Sequence, residues 1–213
     1  MISRIQNRIF QQLNNSCQKY FSSVVNFENC SSNLKNERLK ENDIPQFNKT
    51  EVEKKQNFII DEDGFVTVYT DGSCTFNGHE EKARAGIGVW FGDNHPLNIS
   101  APIVGRSTCN VAEIVAATKA VKAAKEAGIK KLKLHSDSNY VVQSVTAWMP
   151  KWKTNGWKSA TKKPVINKDE LMKLDEMLSS IEVSWVHVPS HSGIHGNEMA
   201  NILAKRGIDM SVE

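Results

Sequence analysis

No run of this 213-residue chain approaches the ~20 consecutive apolar residues that a membrane-spanning helix needs, so no membrane is expected as a partner. Cysteine is sparse. Cys17, Cys30, Cys74 and Cys109 are scattered and form no CxxC pair. That scatter argues against a disulfide framework or a zinc site and predicts reduced thiols in an intracellular compartment. Acidic residues are missing from two places. None precedes Glu28, and none lies between Trp148 and Lys163. From Lys119 to Lys173 there are 13 lysines and no arginine, against four acids (Glu126, Asp137, Asp169, Glu170). A local excess of that size suggests an acidic partner such as nucleic acid, although a solvated lysine face has the same composition. Residues 1–60 contain no glycine and no tryptophan.

The rest of the composition is that of a globular protein, with 39% hydrophobic and 24% charged residues and a net charge of +3. The length suits one domain plus a tail. Residues 1–60 are rich in Asn, Gln, Ser and Lys and read as a disordered extension. Within it, Arg4, Arg8 and Lys19 are basic, while Ile2, Ile5, Ile9 and Leu13 recur at helical spacing. That pattern is similar to a mitochondrial targeting segment, and an unstructured start that is basic by chance fits as well. Lys35–Lys55 reads as a mixed-charge linker. The globular domain is expected over residues 62–210.

Within that domain Phe65–Tyr69 alternates as a strand and is expected to stop at an Asp71-Gly72 turn. Strands follow at Arg84–Phe91 and Leu97–Val104. A helix spans Asn110–Ala127 and is stopped by Gly128. A strand at Lys130–His135 precedes a helix from Ser138 to Trp148, expected to end before Pro150. A helix over Asn167–Leu178, a strand over Glu182–Val188 and a helix over Asn197–Arg206, capped by Gly207, complete the pattern. The order implies an α/β fold whose mixed sheet combines an antiparallel meander with parallel strands joined by helical crossovers.

Three acids occupy suggestive places. Asp71 follows the first strand, Asp137 follows the fourth, and Glu113 lies in the first turn of a helix. Taken singly, each has a structural explanation: a turn, a helix-dipole partner and an N-cap. Together they could converge. Phosphodiester cleavage is efficient when two divalent ions flank the scissile phosphate. Magnesium takes hard oxygen ligands and keeps several waters, so a few carboxylates suffice.

Longer motifs carry a specific resemblance. Tyr69-Thr70-Asp71-Gly72, Arg84-Ala85-Gly86-Ile87-Gly88, Ala112-Glu113, the run Trp148–Trp157, Val165-Ile166-Asn167-Lys168 and Trp185–Gly193 are all similar to type 1 ribonuclease H, especially its eukaryotic catalytic domain. The resemblance covers roughly residues 64–208. It implies an RNase H-like fold: a five-stranded mixed sheet flanked by helices. It also implies endonucleolytic cleavage of the RNA strand of RNA–DNA hybrids with two Mg2+ ions, Mn2+ being a substitute, by a monomer. Residues 1–60 lack the composition of the N-terminal hybrid-binding module, so that module is expected to be absent. Hybrids occur in mitochondria and nuclei, and both locations fit.

Residue by residue, the resemblance makes Asp71, Glu113 and Asp137 metal ligands and catalytic residues. His191, on a loop after the last strand, matches a mobile histidine that assists proton transfer or product release. Contacts to the RNA 2′-hydroxyl fall at Cys74, Asn77, Cys109 and Asn110. Arg106, Thr108 and Asn167 match a phosphate pocket for the DNA strand. Trp148, Trp152 and Trp157, interleaved with lysines, match a basic protrusion that packs on DNA sugars or bases. The protrusion and the phosphate pocket argue against other nucleases of the same fold.

One position departs from the pattern. The last helix carries Asn201 where the family has an Asp that holds the water-activating ion. Asn offers a carbonyl oxygen without charge. Two outcomes follow: a nuclease with reduced activity, the favoured one, or a hybrid-binding pseudoenzyme. Glu198, on the same helix, is not expected to take over.

Overall fold

The computed structural model describes residues 58–76 and 83–210. The expected N-terminal extension up to residue 57 and Asn77 lie outside the described residues. Five strands and five helices follow in chain order among the described residues: β1 (Val66–Thr75), β2 (Arg84–Trp90), β3 (Ile99–Pro102), α1 (Cys109–Glu126), β4 (Lys131–Ser136), α2 (Asn139–Gln143), α3 (Met149–Thr154), α4 (Lys168–Leu178), β5 (Glu182–His187) and α5 (His195–Asp209). The sheet order is β3-β2-β1-β4-β5. β1, β2 and β3 form an antiparallel meander, whereas β4 and β5 run parallel to β1. Parallel neighbours require crossovers, which α1 and the α2–α4 segment supply. The expected five-stranded mixed sheet is the observed one. Among the described residues no helix is long and apolar enough to cross a membrane.

The two faces of the sheet are built differently. On one, Val68, Leu132 and Leu134 are fully buried with Ile114 and Val121 of α1 and Leu171 and Leu174 of α4. This is an aliphatic core of the ordinary kind, formed because alternate strand residues face the apolar stripe of each helix. The opposite face, over β1 to β3, is covered by α5 at very close range. Gly86 and Gly88 lie directly beneath it: a Cβ on either would run into the backbone of Ala200 or Ala204. Ser100 anchors the crossing, its Oγ donating to the Leu203 carbonyl at 2.7 Å.

Three element ends depart instructively from the sequence expectations. β1 does not turn at Asp71-Gly72 but continues to Thr75, because β2 pairs with it as far as Thr75↔Arg84. The helix expected to stop before Pro150 passes through a π-helical turn at Ser144–Trp148 and restarts as α3. Pro150 falls in the first turn of α3, where a missing N–H costs nothing, and the wider turn accommodates its ring. Gly207 does not cap the last helix. It lies inside α5, where a Cβ would come within 2.5 Å of the Ala101 carbonyl oxygen.

Candidate metal centre and nucleic-acid interface

The three acids meet because of two local packing events. The N-terminus of α1 rests on β1 at Gly72, where a side chain would collide with the backbone of Ala112 and Glu113. This absence of a Cβ lets Glu113 come beside Asp71. Thr108 starts the helix, its Oγ1 accepting from the Val111 N–H at 3.2 Å. On the other side β4 is in parallel register with β1 through Thr70↔Ser136, so Asp137 leaves its strand next to Asp71. Each carboxylate offers an oxygen within 4.8 Å of the other two.

Their surroundings are costly for three negative charges. Asp71 is 7% exposed and Glu113 9%. Burial, reinforced by the Asp137 charge, pushes the Asp71 carboxyl up from 3.8 to about 6, although the Gly72 N–H and Lys205 act the other way. Burial and the two neighbouring carboxylates raise Glu113 well above its usual range. Its Oε2 is buried without a hydrogen-bond partner. An all-oxygen set with an orphaned, desolvated acceptor fits a hard divalent cation of the magnesium class and would not select a soft metal.

A stability consequence follows. The folded-state pKa values of Asp71 and Glu113 lie above their unfolded values, so protonation favours the fold. That stabilisation is full below about pH 4 and is lost as pH rises through about 6 for Asp71, and higher for Glu113. The metal-free domain should therefore melt at progressively lower temperature between pH 5 and pH 8, and saturating Mg2+ should reverse the loss. Thermal melts with EDTA and with Mg2+ across that range provide the measurement; parallel pH profiles in the two series would refute it.

α5 contributes a residue whose role the sequence did not signal. Asn197 is 2% exposed, and its Nδ2 donates to Asp137 Oδ2 at 3.1 Å. Its Oδ1 is buried and unpartnered. Asn197 thus holds one carboxylate of the centre in a fixed orientation, a partner of the type that tunes metal ligands. Asn201 follows one turn later, 8% exposed, and Lys205 one turn after that. Asn201 lies on α5 between Asn197, which is bonded to Asp137, and Lys205, whose charge acts on Asp71. Glu198 is outside the three-acid group. Asn197→Ala should raise the Mg2+ concentration for half-saturation by about tenfold, measured calorimetrically; an unchanged isotherm would leave Asn197 a purely structural residue.

The expected nucleic-acid contacts are distributed around this centre. Arg106 Nη1 donates to Asn167 Oδ1 at 3.1 Å, and Asn167 Nδ2 donates to the Tyr140 hydroxyl at 3.3 Å. Asn167 sits in the left-handed region (φ 58°) at the entry to α4. So the structure joins Arg106 and Asn167, while Thr108 has its hydroxyl engaged in capping α1. Asn110 is exposed on the first turn of α1. Trp148, Trp152 and Trp157 form a chain with ring centroids 5.7 and 6.2 Å apart. Trp152 and Trp157 pack partly against the core, leaving Trp148 the most open at 38% exposed. His191 lies exposed on the turn between β5 and α5, with φ 51°. That turn leaves β5 where His187 pairs with Ser136, one residue before Asp137.

The cysteines require a correction. Cys74 and Cys109, expected as separate reduced thiols, form a disulfide across 35 residues with Cα atoms 5.1 Å apart. The spacing carried no signal because the contact depends on β1 extending past Asp71 and on α1 starting directly over it.

The RNase H family model matches residues 63–209. Over 146 residues the chain is 48% identical to Ribonuclease H1 of Rattus norvegicus, a match covering 68% of this chain and 51% of that protein. It is 39% identical over 149 residues to Ribonuclease H of Stutzerimonas stutzeri, covering 68% of this chain and 93% of that one. The chain therefore spans about half the length of the mammalian relative and nearly all of the bacterial one. Among solved structures, the foamy viral protease-reverse transcriptase in complex with RNA/DNA hybrid superposes with a TM-score of 0.55 at 28% identity, covering 68% of this chain and 20% of that chain. Since the matched residues run from before β1 to the end of α5, the whole described fold is accounted for, and this chain belongs to the ribonuclease H family.

Proposed function

We propose that the domain hydrolyses the RNA strand of RNA–DNA hybrids endonucleolytically, leaving 5′-phosphate and 3′-hydroxyl ends. The observation that carries this reading is the convergence of Asp71, Glu113 and Asp137 within 4.8 Å, inside the span that the family model matches. When bound, two divalent ions of the magnesium class would supply an activated water and charge neutralisation at the leaving oxygen. Asp71, on β1, would hold the ions together with Glu113 and Asp137. Glu113 and Asp137 would hold the leaving-group side, with Asn197 keeping Asp137 oriented. Asn201 would offer its carbonyl oxygen on the water side. His191, exposed on its turn, would move a proton to or from the product. Arg106 and Asn167 would grip a DNA phosphate, and the lysine-rich Trp148–Lys163 segment would take the flanking duplex. The domain would act as a monomer on mitochondrial or nuclear hybrids.

The test is cleavage of an end-labelled RNA strand annealed to DNA, in Mg2+ and then in Mn2+. Hydrolysis confined to the hybrid is the expected result. Absence of cleavage in both metals, with hybrid binding intact, would make this a binding protein. Asn201 sets the expected metal dependence. Replacing it by Asp adds a charge beside the ions, so Asn201→Asp should lower the Mg2+ concentration for half-maximal activity by about tenfold. A metal titration that did not shift would mean that residue 201 does not face an ion.

A further inference from the structure

We propose that Tyr140 is a positioning residue for the DNA strand: its hydroxyl presets Arg106 and Asn167 as a phosphate grip, so that the pocket is formed before the hybrid arrives. The inference rests on the hybrid-cleavage reading above and gives Tyr140 a part in it.

Asn167 supplies the first argument. It occupies the N-cap of α4, where an Asn side chain ordinarily accepts a backbone N–H of the first turn. Here it makes no such bond. The residue is 5% exposed, and its amide is engaged instead by Arg106 and Tyr140, both distant in sequence. Its backbone is left-handed (φ 58°), a conformation that Asn tolerates at a cost. A buried amide that gives up its cap and accepts backbone strain is held for something other than the helix.

The direction of the bonds is the second argument. A tyrosine hydroxyl has one proton. Tyr140 donates it to the Ile166 carbonyl at 3.2 Å. Toward Asn167 the hydroxyl can then only accept, and it does so from Nδ2 at 3.3 Å. The amide is thereby fixed with Oδ1 on its other side, where it accepts from Arg106 Nη1 at 3.1 Å. These three bonds in series orient an exposed guanidinium that would otherwise sample many rotamers. One of its five N–H donors goes to Asn167, and a phosphate can take the others. Ordering a long side chain beforehand removes part of the entropy lost on binding.

Position is the third. Tyr140 lies in the first turn of α2, three residues after Asp137. Its ring centroid is 6.1 Å from that of Trp148. Tyr140 thus stands where the segment leaving the metal centre, the phosphate pocket and the tryptophan chain meet. Tyr140→Phe keeps the ring beside Trp148, so it isolates the hydroxyl.

The experiment compares the full chain with Tyr140→Phe, Arg106→Ala and the double variant. Anisotropy in an Asp71→Asn background gives the dissociation constant for an RNA–DNA hybrid without cleavage. Steady-state kinetics with Asp71 intact give kcat and KM. Tyr140→Phe should raise the dissociation constant and KM about three- to tenfold, as the loss of one hydrogen bond predicts, and kcat/KM should fall by the same factor. Because the hydroxyl acts through Arg106, the double variant should bind no more weakly than Arg106→Ala alone. Three outcomes would overturn the inference: Tyr140→Phe that binds like the parent, a double variant that binds more weakly than Arg106→Ala, or a loss confined to kcat, the mark of a structural residue. A parent protein that neither binds nor cleaves hybrid would instead overturn the function on which the inference rests.

Discussion

Asp71→Asn should reduce RNA-strand hydrolysis by about 10³-fold or more and at the same time stabilise the metal-free domain. The two effects have one origin. Asp71 is almost fully buried between Glu113 and Asp137, and its carboxyl is pushed up to about 6 from 3.8. Keeping it ionised at neutral pH opposes folding by up to roughly 3 kcal/mol, the equivalent of about two pKa units. Asn retains an acceptor for the Gly72 N–H, which reaches Asp71 Oδ1 at 2.9 Å, but removes the charge. It also removes one of the three carboxylates proposed to hold the ions. A residue kept for structure would lose stability when replaced; a ligand held at a cost should gain it. Single-turnover cleavage and thermal melts in EDTA at pH 7.5 test both arms. Retained cleavage, or a lower melting temperature, would contradict this account of Asp71.

The second large effect is expected on β2, at the residue paired with Asp71. Gly88→Ala should destabilise the domain by about 3 kcal/mol or more, lowering its melting temperature by roughly 10 °C. The added Cβ would strike the Ala200 carbonyl and lie 2.6 Å from the Ala204 nitrogen. Both are helix backbone atoms, so no side-chain rotation relieves the clash. α5 must lift, and with it Asn197 leaves Asp137, to which it is bonded at 3.1 Å. Metal affinity should therefore fall together with stability in Gly88→Ala, whereas Asn197→Ala should mainly affect metal. Calorimetric Mg2+ titration beside thermal denaturation separates the two. A variant that melted like the parent would mean that α5 does not rest on β2 in this way.

Much of the centre could be read directly from the chain. Asp71 and Asp137 were expected at strand ends and Glu113 in a first helical turn; Asp71 lies within β1, Glu113 is the fifth residue of α1 and Asp137 follows β4, and the three still converge. Arg106 and Asn167 were expected together and are hydrogen-bonded. The tryptophans split: Trp148 is open as expected, while Trp152 and Trp157 also serve the core. Asn197 was visible as a residue but not as a partner of Asp137, because a buried amide in a polar motif has no periodic signature. Asp71-Gly72 looked like a turn because that dipeptide commonly makes one; pairing with β2 overrode the local preference.

The order of the elements, the mixed sheet, the three carboxylates and the neutral amide at residue 201 were determined by the sequence alone, because each is a matter of residue type and short-range period. The Cys74–Cys109 bond, the grip of Asn197 on Asp137 and the seating of α5 on Gly86 and Gly88 were decided only by the tertiary structure. Each depends on how closely two distant segments approach. That distance is set by the side chains missing between them, here the Cβ atoms of glycines, and a local pattern does not encode which backbone will occupy the space.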